Sequence, residues 1–396
     1  MSTINQVVIL AGGKGKRLGN MTKDTPKPMI DINGKPFLEH LINDIVDNNF
    51  TEVILLLGYK AEKIVNYFGD GSKFGINIKY SIRGEDSKTG TRLREASRLL
   101  DKRFLLLYCD NYMPINLDKY IEYYNNNNIS NSVIVYSNKD KFTKNNLLVK
   151  NNLVVEYDKS RSNKNLNGVN VGYYIIDRDT VIPMMPKYNF KFEDVIIDKL
   201  VNNNNLLAYV TGQRYCSIGD LKRLPMTIDF FRDKKSIFLD RDGVINRRPP
   251  KADYVKSWDE FEFLPGVLDA IKLLTSEGYN IYIISNQPGI ARGKMTTEDL
   301  NNIHKNMITT IENNEGKISK IYYCPHGWND GCDCRKPNPG MFYQVSREYN
   351  IDLRKCIYIG DDLRDKQAGD AVGLTTILVN NKSLNELVLE IIKNDM

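Results

Sequence analysis

The chain has 396 residues, of which 41% are hydrophobic and 26% charged, and its formal net charge is +6. That length predicts two domains at about 100–200 residues each, and no apolar run approaches the roughly 18 residues needed to span a bilayer, so no membrane contact is expected. The positive charge is spread along the chain without the basic stripe and interleaved aromatics of a nucleic-acid binder, and it suits phosphorylated small molecules. MSTINQVVILAGG lacks a basic region, a long apolar stretch and a cleavage site, which gives a cytoplasmic expectation.

In chain order, QVVIL, EVILLL, FLLLYCD, SVIVYS and VGYYIID read as buried strands, while FLEHLINDIVDN and LREASRLLDKR carry helical spacing. This alternation predicts an α/β layered domain. Two asparagine runs, 125–128 and 202–205, predict loops or helix ends. The first strand runs into LAGGKGKRLGNMTKDTPKPM, which fits neither Gly-x-Gly-x-x-Gly, because Leu18 stands at the third glycine's place, nor a P-loop frame. It is still a glycine-rich turn: Gly12, Gly13 and Gly15 lie beside Lys14, Lys16 and Arg17, and Lys27 follows between two prolines. Closely spaced backbone N–H groups and cations would hold a triphosphate there, with a solvated basic turn as the alternative.

Near Arg232 the pattern resets. SIFLD, NIYIIS, KIYYC, CIYIG and TTILV alternate with helical stretches, which predicts a second doubly wound sheet and domains of 1–232 and 233–396. Three strand ends are polar: Asp240 with Asp242 two residues on, Ser285 followed by Asn286, and Gly360 followed by Asp361. Parallel sheets bind ligands beyond the carboxyl ends of their strands, so these groups are expected in one crevice. Asp240 can attack phosphorus to form an aspartyl phosphate. Mg²⁺, held by Asp240 and Asp361, would offset the repulsion between carboxylate and phosphate. Asp242 can protonate the leaving oxygen and then activate water. Ser285 can hydrogen-bond the phosphate, and Lys336 can neutralise it. Each motif alone is ordinary turn or cap chemistry; three at successive strand ends, in this order, are not.

Of six cysteines, Cys324, Cys332 and Cys334 fall within eleven residues, with His326 among them. Four such ligands suit a closed tetrahedral Zn²⁺ site, structural in role, that would hold Arg335 and Lys336 at the site mouth. Cys109, Cys216 and Cys356 read as buried small hydrophobes.

FLDRDGVIN, SNQPGIARG, CDCRKPNPGMF and IGDDLRD resemble the four motifs of the haloacid-dehalogenase-type phosphatases over about residues 235–380. Within that group they resemble the heptose 1,7-bisphosphate phosphatases and the related histidinol-phosphate phosphatases. The resemblance implies Asp240 as nucleophile, Asp242 as acid/base, and Ser285 and Lys336 as phosphate ligands. Asp361 and the Asp242 carbonyl would join Asp240 around Mg²⁺, while Asn286, Arg292 and Arg335 would line the substrate side. A minimal cap and a zinc loop are also implied.

The glycine-rich stretch, together with LLLYCD, NGVNVGYYI and FKFEDVI, resembles sugar-1-phosphate nucleotidyltransferases over residues 1–225. This implies a Rossmann-like domain with Arg17 and Lys27 as catalytic cations and Asp110 as a Mg²⁺ ligand. It also implies Gly90 in the base-contacting loop, with Asn170 and Glu193 near the sugar. Two positions depart from the family. Ser217 stands where a second metal-ligand Asp is usual, with Asp220 three residues on, and bulky Arg92 stands where small residues are usual.

The two readings combine into a bifunctional enzyme of nucleotide-activated heptose synthesis. Its partners would be a phosphorylated heptose and a nucleoside triphosphate, GTP by overall resemblance, with no nucleic acid and no membrane. Two other readings stay open: a working phosphatase fused to a degenerate nucleotide-sugar-binding or scaffolding domain, and a histidinol-phosphate phosphatase.

Overall fold

Gln6–Ala11 (β1) is buried at every position, and its side chains feed two cores. In this computed structural model, which describes residues 4–250, 253–380 and 382–395, Val7, Ile9 and Ala11 point into one apolar cluster with Leu55 and Leu107. Val8 and Leu10 point into another with Ile54 and Leu106. A strand that is apolar on both faces is one covered on both faces. The chain divides into two units, the first ending at Arg232 and the second beginning at Asp233.

The other strands of the main sheet of the N-terminal unit are Glu52–Leu57 (β2), Asn77–Ile82 (β3), Arg103–Tyr108 (β4), Ser132–Tyr136 (β5), Leu147–Lys150 (β6), Leu153–Tyr157 (β7), Val169–Asp177 (β8) and Leu207–Thr211 (β9). They form one sheet in the order β3-β2-β1-β4-β8-β5-β9-β7-β6. β3, β2, β1 and β4 run parallel, whereas β8 is antiparallel to both of its neighbours. The sheet is therefore mixed, and only its first half has the all-parallel, doubly wound character read from the sequence. The β6–β7 hairpin turns at Asn151 and Asn152, both at positive φ. Asparagine tolerates that conformation well enough to close a two-residue turn.

LREASRLLDKR is not one helix. The helix Thr89–Glu95 ends and a 3-10 turn spans Ser97–Leu99 before β4 begins. The side chain of Gln6 is the physical reason: it accepts from Asp101 N–H at 2.8 Å and donates to Leu99 C=O at 3.0 Å, taking backbone groups that a helix would need. The asparagine runs do end helices, at Leu117–Asn125 and Phe192–Asn202.

The C-terminal unit holds Ser236–Leu239 (β10), Asn280–Asn286 (β11), Lys320–Cys324 (β12), Ile357–Gly360 (β13) and Thr375–Leu378 (β14). The sheet order is β12-β11-β10-β13-β14, with every pair parallel. Alternation again feeds two cores. Ile237, Leu239, Ile283 and Ile359 face one side, and Phe238, Tyr282, Ile284 and Tyr358 face the other. Because β10 is central, the carboxyl ends of β11, β10 and β13 lie side by side. Among the described residues, no helix is long and apolar enough to cross a membrane.

Candidate functional sites

In the C-terminal unit Asp240, Asp242, Ser285, Asn286, Arg335, Lys336 and Asp361 line one cavity of about 600 Å³ at those strand ends. Lys336 is its centre. The ammonium is 2% exposed and lies 2.9 Å from Asp240 Oδ1 and 2.7 Å from Asp365 Oδ1. It also donates to Ile284 C=O and Tyr358 Oη, each at 2.9 Å. The backbone of Lys336 is clamped by Asn286, whose Oδ1 accepts the Lys336 N–H and whose Nδ2 donates to the Lys336 C=O, both at 3.0 Å. Asn286 therefore positions the lysine as well as lining the cavity.

Asp365 is a site residue that sequence reasoning missed. One of its oxygens accepts the N–H groups of Asp361 and Asp362 at 3.0 Å, and the other accepts the Tyr358 hydroxyl at 2.8 Å. It closes a capping box with Asp362 at the start of helix Leu363–Ala371. The signal was present, since Asp-x-x-Asp is capping-box spacing. Oxygens of Asp240, Asp361 and Asp365 all lie within 4.8 Å of one another. The Asp242 carboxylate stands apart from this group, so the carboxylate cluster is completed by Asp365. Gly243 permits the approach of Asp361: it has φ +96°, and a Cβ there would lie 1.9 Å from Asp361 Oδ2.

The electrostatics follow from crowding. Burial pushes Asp240 well above the usual carboxylate range; Lys336 opposes this, while Asp365 and Asp361 push it further. Burial takes Asp361 up to about 6, against the pull of Arg248, which bridges Asp361 and Asp362 at 2.9 Å each. Asp242 goes the other way. Burial raises it, but fully buried Arg241, with Asn246 and Gln287, outweighs that and leaves it low. Arg241 grips both Asp242 oxygens at 2.8 and 2.9 Å. Gln287 donates to Asp242 Oδ2 at 2.8 Å and to Ser285 Oγ at 2.7 Å. Arg292 does not line the cavity; it donates to Tyr254 Oη at 2.9 Å and stacks on Trp328 at 5.0 Å, two residues that do line it.

Beside this cavity, donor atoms of Cys324, His326, Cys332 and Cys334 converge within 4.8 Å. Cys324 Sγ is 3.2 Å from Cys334 Sγ and 3.6 Å from Cys332 Sγ, and His326 Nδ1 is 3.2 Å from Cys334 Sγ. None of these thiols is in a disulfide. The cluster can hold a metal ion, and Arg335 and Lys336 follow its last ligand directly.

In the N-terminal unit a cavity of about 440 Å³ is lined by Gly12, Gly13, Gly15, Arg17, Lys27, Asp110 and Glu193, with Lys88 and Lys191. The Lys16 side chain lies outside the described residues. Lys27 Nζ is 2.6 Å from Asp110 Oδ2. Gly15 has φ +64° and packs on Lys27, where a Cβ would come within 3.0 Å of Lys27 Cβ.

Two expected ligands stand elsewhere. Gly90 does not line the cavity; it packs on Phe190, whose ring a Cβ would meet at 2.2 Å. Its neighbour Thr89 lines the cavity instead and donates to Glu193 at 3.0 Å. Asn170 is engaged with Tyr174 Oη at 2.5 Å and Gly172 N–H at 2.9 Å, where it supports the irregular start of β8 rather than the cavity.

Ser217 pairs with Asn111, next to Asp110, in a short antiparallel ladder. Its hydroxyl is buried and accepts Gly219 N–H at 3.0 Å. Asp220 is turned away, accepting Lys222 and Arg223 N–H at 2.9 and 3.1 Å. Arg92, bulky where small residues are usual, is buried and forms part of the wall of this cavity.

Residues 6–143 match the family model described as nucleotidyl transferase, and residues 235–375 match that of polynucleotide kinase 3 phosphatase. D-glycero-β-D-manno-heptose-1,7-bisphosphate 7-phosphatase of Bordetella bronchiseptica is 44% identical over 145 residues, 37% of this chain and 80% of that protein. D-glycero-α-D-manno-heptose-1,7-bisphosphate 7-phosphatase of Campylobacter jejuni is 38% identical over 152 residues, 38% of this chain and 86% of that protein. Among solved structures, a Bacillus anthracis protein assigned as a glucose-1-phosphate thymidylyltransferase is 19% identical, with TM-score 0.52 over 58% of this chain and 95% of that one, a likeness of fold.

The geometry around Lys336 sets one expected outcome. Asp365→Ala leaves a buried ammonium short of one carboxylate and two N–H groups without an acceptor, so denaturant unfolding of the C-terminal unit should lose about 3–5 kcal/mol. Asp365→Asn should lose less.

Proposed function

We propose that this chain, which belongs through its C-terminal unit to the family of heptose-1,7-bisphosphate 7-phosphatases, is a bifunctional enzyme of nucleotide-activated heptose synthesis. One unit removes the C7 phosphate of a heptose 1,7-bisphosphate. The other transfers a nucleotidyl group, GMP from GTP by overall resemblance, to the heptose 1-phosphate so made. The observation that carries the reading is the convergence of Asp240, Asp242, Ser285 and Lys336 on one cavity at the ends of adjacent parallel strands.

Asp240 is the nucleophile. Lys336, Ser285 and the Asn286 loop hold the transferring phosphate, and Arg335 faces the rest of the substrate. Asp240 attacks phosphorus, the bond to the C7 oxygen breaks, and Asp242 gives that oxygen a proton, which requires the substrate-bound site to loosen the Arg241 grip that holds Asp242 ionised in the free site. Asp242 then takes a proton from the water that hydrolyses the aspartyl phosphate. Mg²⁺ would be held by the crowded carboxylates of Asp240 and Asp361, with the Asp242 carbonyl as the further ligand the resemblance implies, and when bound would supply the positive charge that lets two anions meet. Zn²⁺ suits the Cys324, His326, Cys332 and Cys334 set.

In the N-terminal unit, Arg17, Lys27 and the N–H groups of the Gly12–Gly15 turn receive the triphosphate. An oxygen of the sugar phosphate attacks the α-phosphorus and pyrophosphate leaves. Asp110 is the carboxylate available for Mg²⁺, and Glu193 faces the sugar. Ser217 favours a second reading of this unit alone: with a hydroxyl where the family pattern has a second metal-ligand carboxylate, it binds nucleotide and turns over slowly or not at all.

Three measurements test these statements. Asp240→Asn should lower phosphate release from heptose 1,7-bisphosphate by several orders of magnitude while pyrophosphate release from heptose 1-phosphate and GTP is kept; near-normal phosphate release would remove Asp240 from the mechanism. Protons compete with Mg²⁺ for raised carboxylates. Because burial takes Asp361 up to about 6 and Asp240 up to about 8, the half-saturating Mg²⁺ for the phosphatase should rise as pH falls below about 8 and more steeply below about 6; a flat response from pH 8 down to pH 5 would contradict the assignment. Ser217→Asp should speed pyrophosphate release if the missing carboxylate limits the N-terminal unit, and no change in rate would place the limit elsewhere.

A further inference from the structure

Arg92 takes no part in the reaction described above, yet the N-terminal cavity is built around it. It is 3% exposed, and its guanidinium donates to five main-chain carbonyls. Nη1 donates to Leu57 and, at 3.3 Å, to Arg83. Nη2 donates to Gly12 at 3.5 Å, Gly84 at 2.8 Å and Glu85 at 3.5 Å. These acceptors belong to three segments, each leaving the carboxyl end of a different parallel strand: β1, β2 and β3. One side chain therefore ties together three turns, two of which, at Gly12 and Glu85, line the cavity.

Two glycines make room for it. A Cβ on Gly12 would lie 2.5 Å from Arg92 Cζ, and one on Gly58 would lie 2.2 Å from Nη2. Neither glycine has positive φ, so the guanidinium, not the backbone conformation, requires them. Burial pulls the Arg92 pKa down, with Glu95 opposing, but a guanidinium stays charged in proteins. All its acceptors are neutral carbonyls, so a full positive charge stands under the glycine-rich turn without a hydrogen-bonded carboxylate to cancel it. Arg92, Gly12 and Glu85 all line the cavity.

We propose that Arg92 is a positioning residue for the nucleoside triphosphate. It ties the cavity-lining turns at Gly12 and Glu85 to each other and to the end of β2 at Leu57, so that the N–H groups of the glycine-rich turn are preset for phosphate, and it adds a permanent positive charge beside them. This rests on the nucleotidyl-transfer reading of the unit.

The test uses the full chain and GTP with Mg²⁺, with dissociation constants measured by calorimetry well below the melting temperature. Arg92→Met and Gly58→Ala should each weaken GTP binding about tenfold or more, the size expected when hydrogen bonds from a charged donor are lost, with Arg92→Lys in between. In turnover the effect should appear in KM for GTP more than in kcat, a split that general loosening of the fold would not produce. Phosphate release by the C-terminal unit of the same samples should not change. If Arg92→Met does not fold, Gly58→Ala, which keeps the arginine and displaces its guanidinium, decides alone. Binding within about twofold of wild type in the folded variants overturns the proposal. Wild-type protein that releases phosphate but binds no nucleoside triphosphate overturns the nucleotidyl reading as well, and so separates the two failures.

Discussion

A buried ammonium dictates the C-terminal site. Lys336 is almost wholly removed from water, and a charge so placed must be matched by partners nearby. Asp240 and Asp365 supply the charge, and Tyr358 Oη and Ile284 C=O share the three N–H groups with them. Each partner is then fixed by something further out. Asp365 is held by the capping box that starts its helix, Lys336 by the Asn286 clamp, and the loop before Lys336 by four convergent metal-type donors. The cost of burying Lys336 is offset only while the Asn286 loop, the acidic strand ends and the cysteine loop are all in place.

The N-terminal unit solves a related problem with a different cation. Lys27 pairs with Asp110 at the cavity wall, whereas Arg92, which also lines the cavity, is 3% exposed and held by main-chain carbonyls. Lysine at the surface of the site can exchange its partner for a phosphate. An arginine with five fixed acceptors serves as scaffold, since its planar fork loses little freedom on being held. The replacement of small residues by Arg92 is thus compatible with an open cavity, while Ser217, paired with Asn111 next to Asp110, offers a hydroxyl where the family pattern has a carboxylate.

Strands and their polar ends were legible because buried strands declare themselves as short apolar runs, and parallel topology then brings their ends together. Asp240, Ser285 and Asp361 were found that way, as were the cysteines by spacing alone. What escaped detection depended on partners distant in sequence. Nothing local marks Asp365 as the anchor of Lys336, 29 residues away, although its capping-box spacing was in plain view. Gly90 and Asn170 look like ligands by position, yet Phe190 and Tyr174 claim them for packing. LREASRLLDKR has helical spacing, but a side chain from β1 captures its backbone. In each case a tertiary contact overrode a local pattern.

The central claim is that one chain makes a heptose 1-phosphate and then activates it. The most direct measurement supplies heptose 1,7-bisphosphate, Mg²⁺ and each nucleoside triphosphate in turn to the intact protein, and follows phosphate and pyrophosphate separately in time. The account predicts that phosphate appears first, that pyrophosphate follows after a lag and only with a matching base, and that no pyrophosphate forms when phosphate release is blocked. Phosphate release with no pyrophosphate from any nucleoside triphosphate, even when heptose 1-phosphate is added directly, would contradict it.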